Sequence, residues 1–160
     1  MPDGSASMLP VIIGGFLAII GGLSSQLIVH WLSDRREKAK IRRDRIEALV
    51  RSVYAHSQWV TDRHRFMVFR GEDYDKPDPF DEASMIESLY FPSLAKALNE
   101  VRGASLKLTK FSDDHFLKHL EDRQEFLKYY DPQQFYADYE VYLKTVASLM
   151  SEARAVLDKS

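Results

Sequence analysis

The sequence begins with one long apolar stretch and then changes to a regular alternation of apolar and polar positions. From Leu9 to Leu32 no side chain is ionised, and this length fits the ~20 apolar residues that cross the hydrocarbon layer of a membrane as a helix. A helix packed against a protein core normally carries a polar face, and none appears here before Ser24. The pattern predicts a transmembrane helix over residues 9–32, after a short extracytoplasmic tail over residues 1–8.

A second helical pattern follows the apolar stretch without a break. No glycine or proline occurs between Gly22 and Gly71, so we expect the first helix to continue as far as Phe69. Beyond Arg45, apolar positions recur at the spacings that place side chains on one face of a helix. This stripe consists of Ile46, Leu49, Val53, His56, Val60 and Met67, with Arg63 in the remaining gap.

The rest of the chain predicts shorter helices joined by turns. The acidic segment 71–82 is rich in turn-forming residues and predicts an exposed loop. A short helix is expected over residues 81–90, and Pro92 suits the first position of the next helix. Ser112 offers an N-cap for a further helix that runs to Tyr130.

The last helix has the clearest start signal and the most regular pattern. Asp131 can cap it, Pro132 fits its first position, and Gln134 can reach back as in a capping box. Its apolar residues form a heptad seam, which closes a bundle within one chain or pairs two chains. The seam consists of Tyr136, Tyr139, Leu143, Val146, Met150, Ala153 and Leu157.

We predict an all-α fold, because no segment alternates between apolar and polar residues as a half-buried strand does. The transmembrane helix is expected to continue into a long cytoplasmic helix through a basic juxtamembrane segment, residues 33–45. Short loops favour antiparallel neighbours, so residues 46–160 are expected to form a four-helix-like cytoplasmic bundle.

Charge is distributed unevenly along the chain. Residues 33–45 carry seven basic and three acidic side chains, whereas residues 46–160 carry 15 basic and 20 acidic ones. Basic residues after the apolar stretch place the C-terminal part in the cytoplasm and the N-terminus outside. The excess of acids makes nucleic acid an unfavourable partner. Contacts with lipid headgroups are expected from Arg35, Arg36, Lys38, Lys40, Arg42 and Arg43.

The apolar stretch contains an unusual number of small residues. In a membrane, close packing of small side chains drives helix association, because water contributes little there. Helical spacing places these residues on two adjoining sides, which predicts a homo-oligomer: Gly14, Gly15, Ala18, Gly21, Gly22 and Ser25. Ser24 and Gln26 lie beside this strip and are candidates for hydrogen bonds between helices or for lining a pore.

The residue types required for catalysis are scarce. The chain has no cysteine, and no phosphate-binding glycine loop, zinc-protease motif or nucleophile elbow occurs. His115 and His119 are four residues apart on one helix face, but two histidines alone rarely fix a metal ion. The sequence therefore predicts no cofactor, no metal site and no catalytic centre of these kinds.

One short motif has a counterpart in a known family. The stretch RSVYAH, from Arg51 to His56, resembles the R-x4–6-H motif of HEPN ribonucleases, which are all-helical and include membrane-anchored antiviral accessory proteins. The resemblance implies that His56 handles the proton of a ribose 2′-hydroxyl while Arg51 steadies the scissile phosphate. Ser52 departs from the Asn, Asp or His that usually follows the arginine in that family.

The whole layout is similar to that of uncharacterised bacterial single-pass membrane proteins with a glycine-rich anchor and a helical cytoplasmic domain. We expect a non-enzymatic protein whose anchors associate in the bilayer and whose bundle serves as an oligomeric scaffold or recruits a protein partner. One alternative is a pore-forming or ion-conducting effector gated by the bundle. The second alternative is a HEPN-like ribonuclease that uses Arg51 and His56.

Overall fold

The computed structural model describes the backbone of residues 9–158 and the side chains of residues 29–158. Every regular element in this part of the chain is helical, which confirms the predicted fold class. The helices are α1 (Leu9–His64), α2 (Phe80–Tyr90), α3 (Ala95–Glu121), α4 (Arg123–Tyr129) and α5 (Gln133–Asp158). A π-helical segment, Arg65–Arg70, follows α1, and a 3-10 turn, Pro92–Leu94, precedes α3.

Contacts within the chain define two compact units, residues 1–41 and residues 42–160. The second unit is a helical bundle with one hydrophobic core, to which the last part of α1 and helices α2, α3 and α5 contribute. The stripe predicted from the sequence lies on α1 and on the π-helical segment, and all of its members are buried. Each of its members is at most 3% exposed: Ile46, Leu49, Val53, His56, Val60 and Met67.

The first long helical region ends where the sequence places a glycine. Gly71, which directly follows the π-helical segment, adopts a left-handed conformation (φ 69°). Its backbone N–H donates to Phe66 O within the segment. The segment is held against α3 because His119 Nδ1 donates to Val68 O at 2.7 Å. A loop then leads to α2, as the turn-forming composition predicted, but it is not exposed throughout, because Tyr74 is 7% exposed, and α2 already begins at Phe80.

The predicted helix start at Ser112 is wrong. Helix α3 continues through this position, where Ser112 is 1% exposed and its hydroxyl donates to Leu108 O within the same helix. The chain breaks ten residues later, at Asp122, whose side chain accepts from Gln124 N and Glu125 N, both at 2.9 Å. A serine in a helix interior can bond to the preceding turn, so a cap-like residue does not by itself start a helix.

The start of α5 agrees with the sequence, and its buried face agrees in part. Asp131 accepts from Gln133 N at 2.9 Å, as predicted for a cap, whereas the Gln134 side chain donates to Asp138 instead of reaching back. Tyr136 and Leu143 are 65% and 43% exposed. The buried residues of α5 are Phe135, Tyr142, Val146, Leu149 and Ala153, so two members of the predicted seam are buried and the other three positions are shifted by one. Tyr139, Met150 and Leu157 of the predicted seam are partly buried against the core.

The anchor prediction concerns residues whose side chains are mostly not described. Among the described residues, no helix is both long enough and apolar enough to span a bilayer. The side chains predicted to pack helices together or to line a path lie outside the described set: Gly14, Gly15, Ala18, Gly21, Gly22, Ser24, Ser25 and Gln26.

Candidate functional site

A cluster of polar side chains in the bundle interior is centred on His56, which belongs to the apolar stripe of α1. Its side chain is buried, its ring stacks on Trp59 with centroids 5.7 Å apart, and the edge of Phe80 packs against it at 4.9 Å. A polar side chain in such surroundings needs a hydrogen-bond partner. Asp78 provides it, because His56 Nδ1 lies 2.7 Å from Asp78 Oδ1.

The loop before α2 positions Asp78 for this contact. Asp78 Oδ1 also accepts from the backbone N–H of Phe80 at 2.8 Å, which fixes the carboxylate at the entrance to the helix. Burial raises the pKa of Asp78, but the hydrogen bonds from His56 and Phe80 N, together with electrostatic attraction to His56 and Arg102, outweigh it and hold the pKa below its ordinary value. The carboxylate is therefore ionised near neutral pH, and His56 Nδ1 carries the proton that joins them.

Arg63 occupies the gap in the apolar stripe, two turns after His56. Its Nη2 donates to Asp113 Oδ1 on α3 at 2.6 Å, and its Nη1 donates to Tyr74 O at 3.4 Å. The guanidinium also lies 5.4 Å from the ring centroid of Trp59. Arginine is suited to such a place because its planar group can donate in several directions at once.

A cavity of about 290 Å³ lies between α1, α3 and the start of α2, and these polar residues line it. Helix α3 contributes residues spaced by three or four positions along one face, among them Arg102, Ser105, Thr109 and Asp113. Arg102 is exposed, lies over the Phe80 ring at 5.8 Å, and forms no ion pair among the described residues. This volume is near the lower end of the range for small-molecule pockets.

Two nitrogen atoms in this region are buried without a hydrogen-bond partner among the described residues. They are His56 Nε2 and Arg63 Nε, and both residues line the same cavity. An unsatisfied buried polar group costs on the order of 1–3 kcal/mol. His56 Nδ1 carries the hydrogen that joins the ring to Asp78, and Arg63 Nε carries an N–H without an acceptor among the described residues.

The two residues of the predicted ribonuclease motif differ in their exposure to solvent. Arg51 is exposed and its side chain forms no hydrogen bond or ion pair among the described residues, whereas His56 is 1% exposed. A general base must come within hydrogen-bond reach of the proton that it abstracts. His56 Nε2 has under 1 Å² of accessible surface in this structure, and the catalytic roles of Arg51 and His56 stay a prediction from the sequence.

The second buried histidine, His64, belongs to a separate network. Its Nδ1 lies 3.1 Å from Ser112 Oγ and its Nε2 lies 3.0 Å from the Tyr130 hydroxyl. Its ring stacks on Phe135 with centroids 3.6 Å apart. Burial, together with the neighbouring His115, lowers the pKa of His64 to about 4. This histidine is therefore neutral at physiological pH and has a structural role.

Each histidine of the pair on α3 uses one ring nitrogen in a hydrogen bond to a backbone carbonyl oxygen. His115 Nδ1 bonds to Phe111 O at 2.7 Å, and His119 Nδ1 bonds to Val68 O at the same distance. Within the described part of the chain, no group of three or more metal-binding side chains is present.

The basic residues predicted to meet lipid headgroups are all exposed. The Arg35 guanidinium lies 4.0 Å from the ring centroid of Trp31, and Arg43 Nε pairs with Glu47 at 3.1 Å. The positions concerned are Arg35, Arg36, Lys38, Lys40, Arg42 and Arg43.

Sequence reasoning missed most of the cavity residues. One signal was available: Arg63 stands at a position where the stripe calls for an apolar residue, and a charge there indicates a buried partner. Asp78, Arg102 and Asp113 gave no comparable signal, because they lie in a loop and on a helix that are distant along the chain. Comparison with known proteins gives no match to a family model, to a curated protein or to a solved structure.

Proposed function

We propose that this chain is a single-pass, membrane-anchored helical protein that self-associates through its anchor and acts as an oligomeric scaffold. The observation that carries the proposal is the exposure of the apolar side chains next to the predicted anchor. Val29, Trp31 and Leu32 are 66%, 54% and 41% exposed on a helix that begins at Leu9. Exposed apolar side chains at the end of an uncharged apolar stretch are compatible with a lipid environment.

The boundary of the proposed anchor has the side chains that suit a membrane surface. Trp31 combines an apolar ring with a polar N–H, a combination favoured at headgroup level. Arg35 lies over its ring and begins the exposed basic segment that would meet anionic headgroups. In this proposal the C-terminal bundle is cytoplasmic and the N-terminus is outside.

The bundle surface offers apolar side chains for a protein partner. Leu117 and Leu120 on α3 are 60% and 59% exposed, and they are three residues apart on one helix face. Tyr129 on α4 and Tyr136 at the start of α5 are exposed as well, and aromatic residues are enriched in protein interfaces. These residues support a recruiting role for the bundle.

Membrane insertion is tested by placing a charge in the apolar stretch. An arginine at the centre of a transmembrane helix costs about 2.5–3.5 kcal/mol of insertion free energy. Ile19→Arg should therefore move the full-length chain from the alkali-resistant membrane fraction to the soluble or alkali-extracted fraction. Leu117→Arg, on the exposed face of α3, is the matched control and should stay with the wild type. Equal membrane retention of Ile19→Arg and wild type would count against the anchor.

Self-association is tested by removing the small side chains from the anchor. Gly14→Leu combined with Gly21→Leu should reduce cross-linked oligomers in membranes and lower the particle size in mild detergent, because leucine prevents close helix approach. Ile13→Leu combined with Ile20→Leu lies on the opposite side of the helix from the strip of small residues by helical periodicity and should leave both measurements unchanged. Oligomers that persist in the glycine variant would refute association through this strip.

A further inference from the structure

We propose that the cavity at the junction of α3 and α4 binds a small alkylammonium group. The cavity has a volume of about 270 Å³, which limits the ligand to a small molecule or to one side chain. Its wall combines aromatic rings with carboxylates that are open to solvent. The inference concerns the bundle alone and does not depend on the proposed membrane anchoring.

Aromatic side chains form part of the cavity wall. Phe126 is 8% exposed, and its ring centroid lies 5.4 Å from that of His119 and 5.3 Å from that of Tyr130. The His115 ring packs edge-on against Phe126 and Tyr130 at 6.0 and 5.6 Å. Tyr129, which is 78% exposed, lines the same cavity. The faces of aromatic rings attract ammonium ions, and the attraction grows as water is excluded.

The charges around the cavity favour a cation. Three carboxylates line it, those of Glu121, Asp122 and Glu125, against one ammonium, that of Lys118. Asp122 is partly committed, because its side chain accepts from two backbone N–H groups of α4. Glu121 and Glu125 are exposed and form no ion pair among the described residues, so both can attract a cation. The surrounding stretch, residues 113–131, contains six acidic and three basic residues.

The end of α3 adds to this preference. The C-terminus of a helix carries partial negative charge from its last carbonyl groups, and α3, with 27 residues, ends at Glu121 beside the cavity. Helix α4 begins at the same junction, but it has only seven residues and Asp122 caps it. Lys118 opposes a bound cation, yet its side chain is exposed and forms no ion pair in the part of the chain that the structure describes.

The hydrogen-bond network behind the cavity calls for a ligand that donates. Ser112 Oγ lies 3.0 Å from Leu108 O, and a carbonyl oxygen only accepts, so the serine hydrogen is used there. His64 Nδ1 must then donate to Ser112 Oγ, which leaves a lone pair at Nε2 of the neutral ring. Tyr130, which lines the cavity, therefore donates its hydroxyl hydrogen to His64 Nε2. Its oxygen, like the carboxylates, has only lone pairs left for a ligand.

Butylammonium, which reproduces the side chain of lysine, is a suitable probe. It is titrated into the full-length chain in mild detergent near pH 7, and binding is followed by saturation-transfer NMR with empty micelles as the baseline. We expect saturable binding, whereas 1-butanol and butyrate at equal ionic strength should bind at least ~10-fold more weakly. Equal affinity for butanol and butylammonium would overturn the role of charge. Absence of saturable binding would overturn the site itself.

Substitution of the two unpaired carboxylates tests the location of the site. Glu121→Gln combined with Glu125→Gln keeps the shape of both exposed side chains and should weaken butylammonium binding ~10-fold. Glu140→Gln combined with Glu152→Gln removes the same charge from exposed positions on α5 and should leave the affinity unchanged. Unchanged affinity in the first variant would show that the probe binds elsewhere. An equal loss in the control would assign the effect to the net charge of the bundle and would also refute the site.

The aromatic contribution is tested at an exposed ring, where the core is spared. Tyr129→Leu should weaken butylammonium binding ~3-fold, because an aliphatic side chain cannot attract the cation in this way. Tyr136→Leu, at a residue that is 65% exposed on α5, is the matched control and should bind as the wild type does. Equal affinities of the two variants would contradict the role of the Tyr129 ring.

A last comparison distinguishes the two sources of an alkylammonium group. Nα-acetyl-lysine amide carries the butylammonium group on a peptide backbone. Tighter binding than that of butylammonium would identify a lysine side chain of a protein partner as the ligand, and weaker binding would identify a free amine; both results support the proposed site. Membrane retention of the anchor variants is measured independently of these ligands, so a failure here leaves the proposed anchor untouched.

Discussion

The phenol oxygen of Tyr142 lies 2.9 Å from Ser57 Oγ in the centre of the bundle and joins α5 to α1. Ser57 has one hydroxyl hydrogen and donates it to Val53 O at 3.2 Å, so Tyr142 is the donor in this contact. Burial raises the pKa of Tyr142 to about 12, with a partly opposing effect of the Ser57 hydrogen bond, so the phenol keeps its proton. The contact therefore joins two residues that are 85 positions apart in the sequence.

The Tyr142–Ser57 contact predicts a graded response to substitution. Tyr142→Phe should lower the free energy of unfolding by about 1 kcal/mol, because Ser57 keeps its bond to Val53. Tyr142→Ala should cost about 3–5 kcal/mol, since it also leaves a cavity in the core. Denaturant titration of the full-length chain in mild detergent measures both. Tyr136→Phe, at an exposed site on the same helix, should stay within about 0.5 kcal/mol of wild type.

Acid should destabilise the bundle through His64. Its pKa is lowered to about 4 in the folded chain, first by burial and then by His115, whereas the unfolded chain has the ordinary value near 6.5. Neutral His64 therefore makes its full contribution to the free energy of unfolding above about pH 6.5. This contribution is lost progressively as the pH falls towards about 4, because the unfolded state binds the proton first. We expect a loss of about 1–2 kcal/mol between pH 7 and pH 5.

Comparison of variants isolates the effect of His64. His64→Gln should be less stable at pH 7, but its unfolding free energy should fall less steeply between pH 7 and pH 5 than that of wild type. His30→Gln, at a side chain that is 78% exposed, should retain the wild-type slope. Equal slopes for wild type and His64→Gln would contradict a neutral buried His64.

The two glycines of the bundle should respond to alanine in opposite directions. A Cβ at Gly71 would lie 2.9 Å from His119 Nε2, and the left-handed backbone there disfavours any side chain. Gly71→Ala should lower the unfolding free energy by about 2–4 kcal/mol, part of it from disturbing the His119 bond to Val68 O. Gly103, inside α3, has open space at its Cβ position, so Gly103→Ala should stabilise by about 0.5–1 kcal/mol. Thermal unfolding of the two variants distinguishes these signs.

Helix α4 should depend on its cap. Asp122→Ala removes the acceptor of two backbone N–H groups and should destabilise the helix by about 1 kcal/mol. Hydrogen exchange at Gln124 and Glu125 should accelerate correspondingly. Asp114→Ala is the control, because Asp114 is exposed in the middle of α3 and its side chain caps nothing among the described residues. Unchanged exchange in Asp122→Ala would refute the capping role.

The sequence predicted the features that depend on near neighbours along the chain. The α1 stripe from Ile46 to Met67 was identified correctly because residues three and four apart share a helix face, whatever packs against them. The cap at Asp131 and the helix stop at Gly71 are equally local, since each depends on the few adjoining backbone groups. Self-association through the small residues of the anchor stays a prediction from the sequence alone.

Tertiary packing determined two features that local patterns do not fix: the buried face of α5 and the position of Ser112 within α3. Two parallel apolar rows were available on α5, and docking against α1 and α3 buried the row containing Tyr142 while Tyr136 and Leu143 stayed exposed. Ser112 lies inside a helix with its Oγ 3.1 Å from His64 Nδ1, a partner 48 residues away that no local signal indicates.

At the candidate site, too, some features follow from the sequence and others only from the tertiary structure. The sequence by itself determined that His56 lies on the buried face of α1, because helical periodicity fixes that face. Only the tertiary structure decided that Asp78, 22 residues away in a loop, meets His56 Nδ1, and that Asp113, 50 residues from Arg63, meets its guanidinium. The physical reason is that a helix face is set by local geometry, whereas the partner of a buried polar group is set by which surfaces dock together.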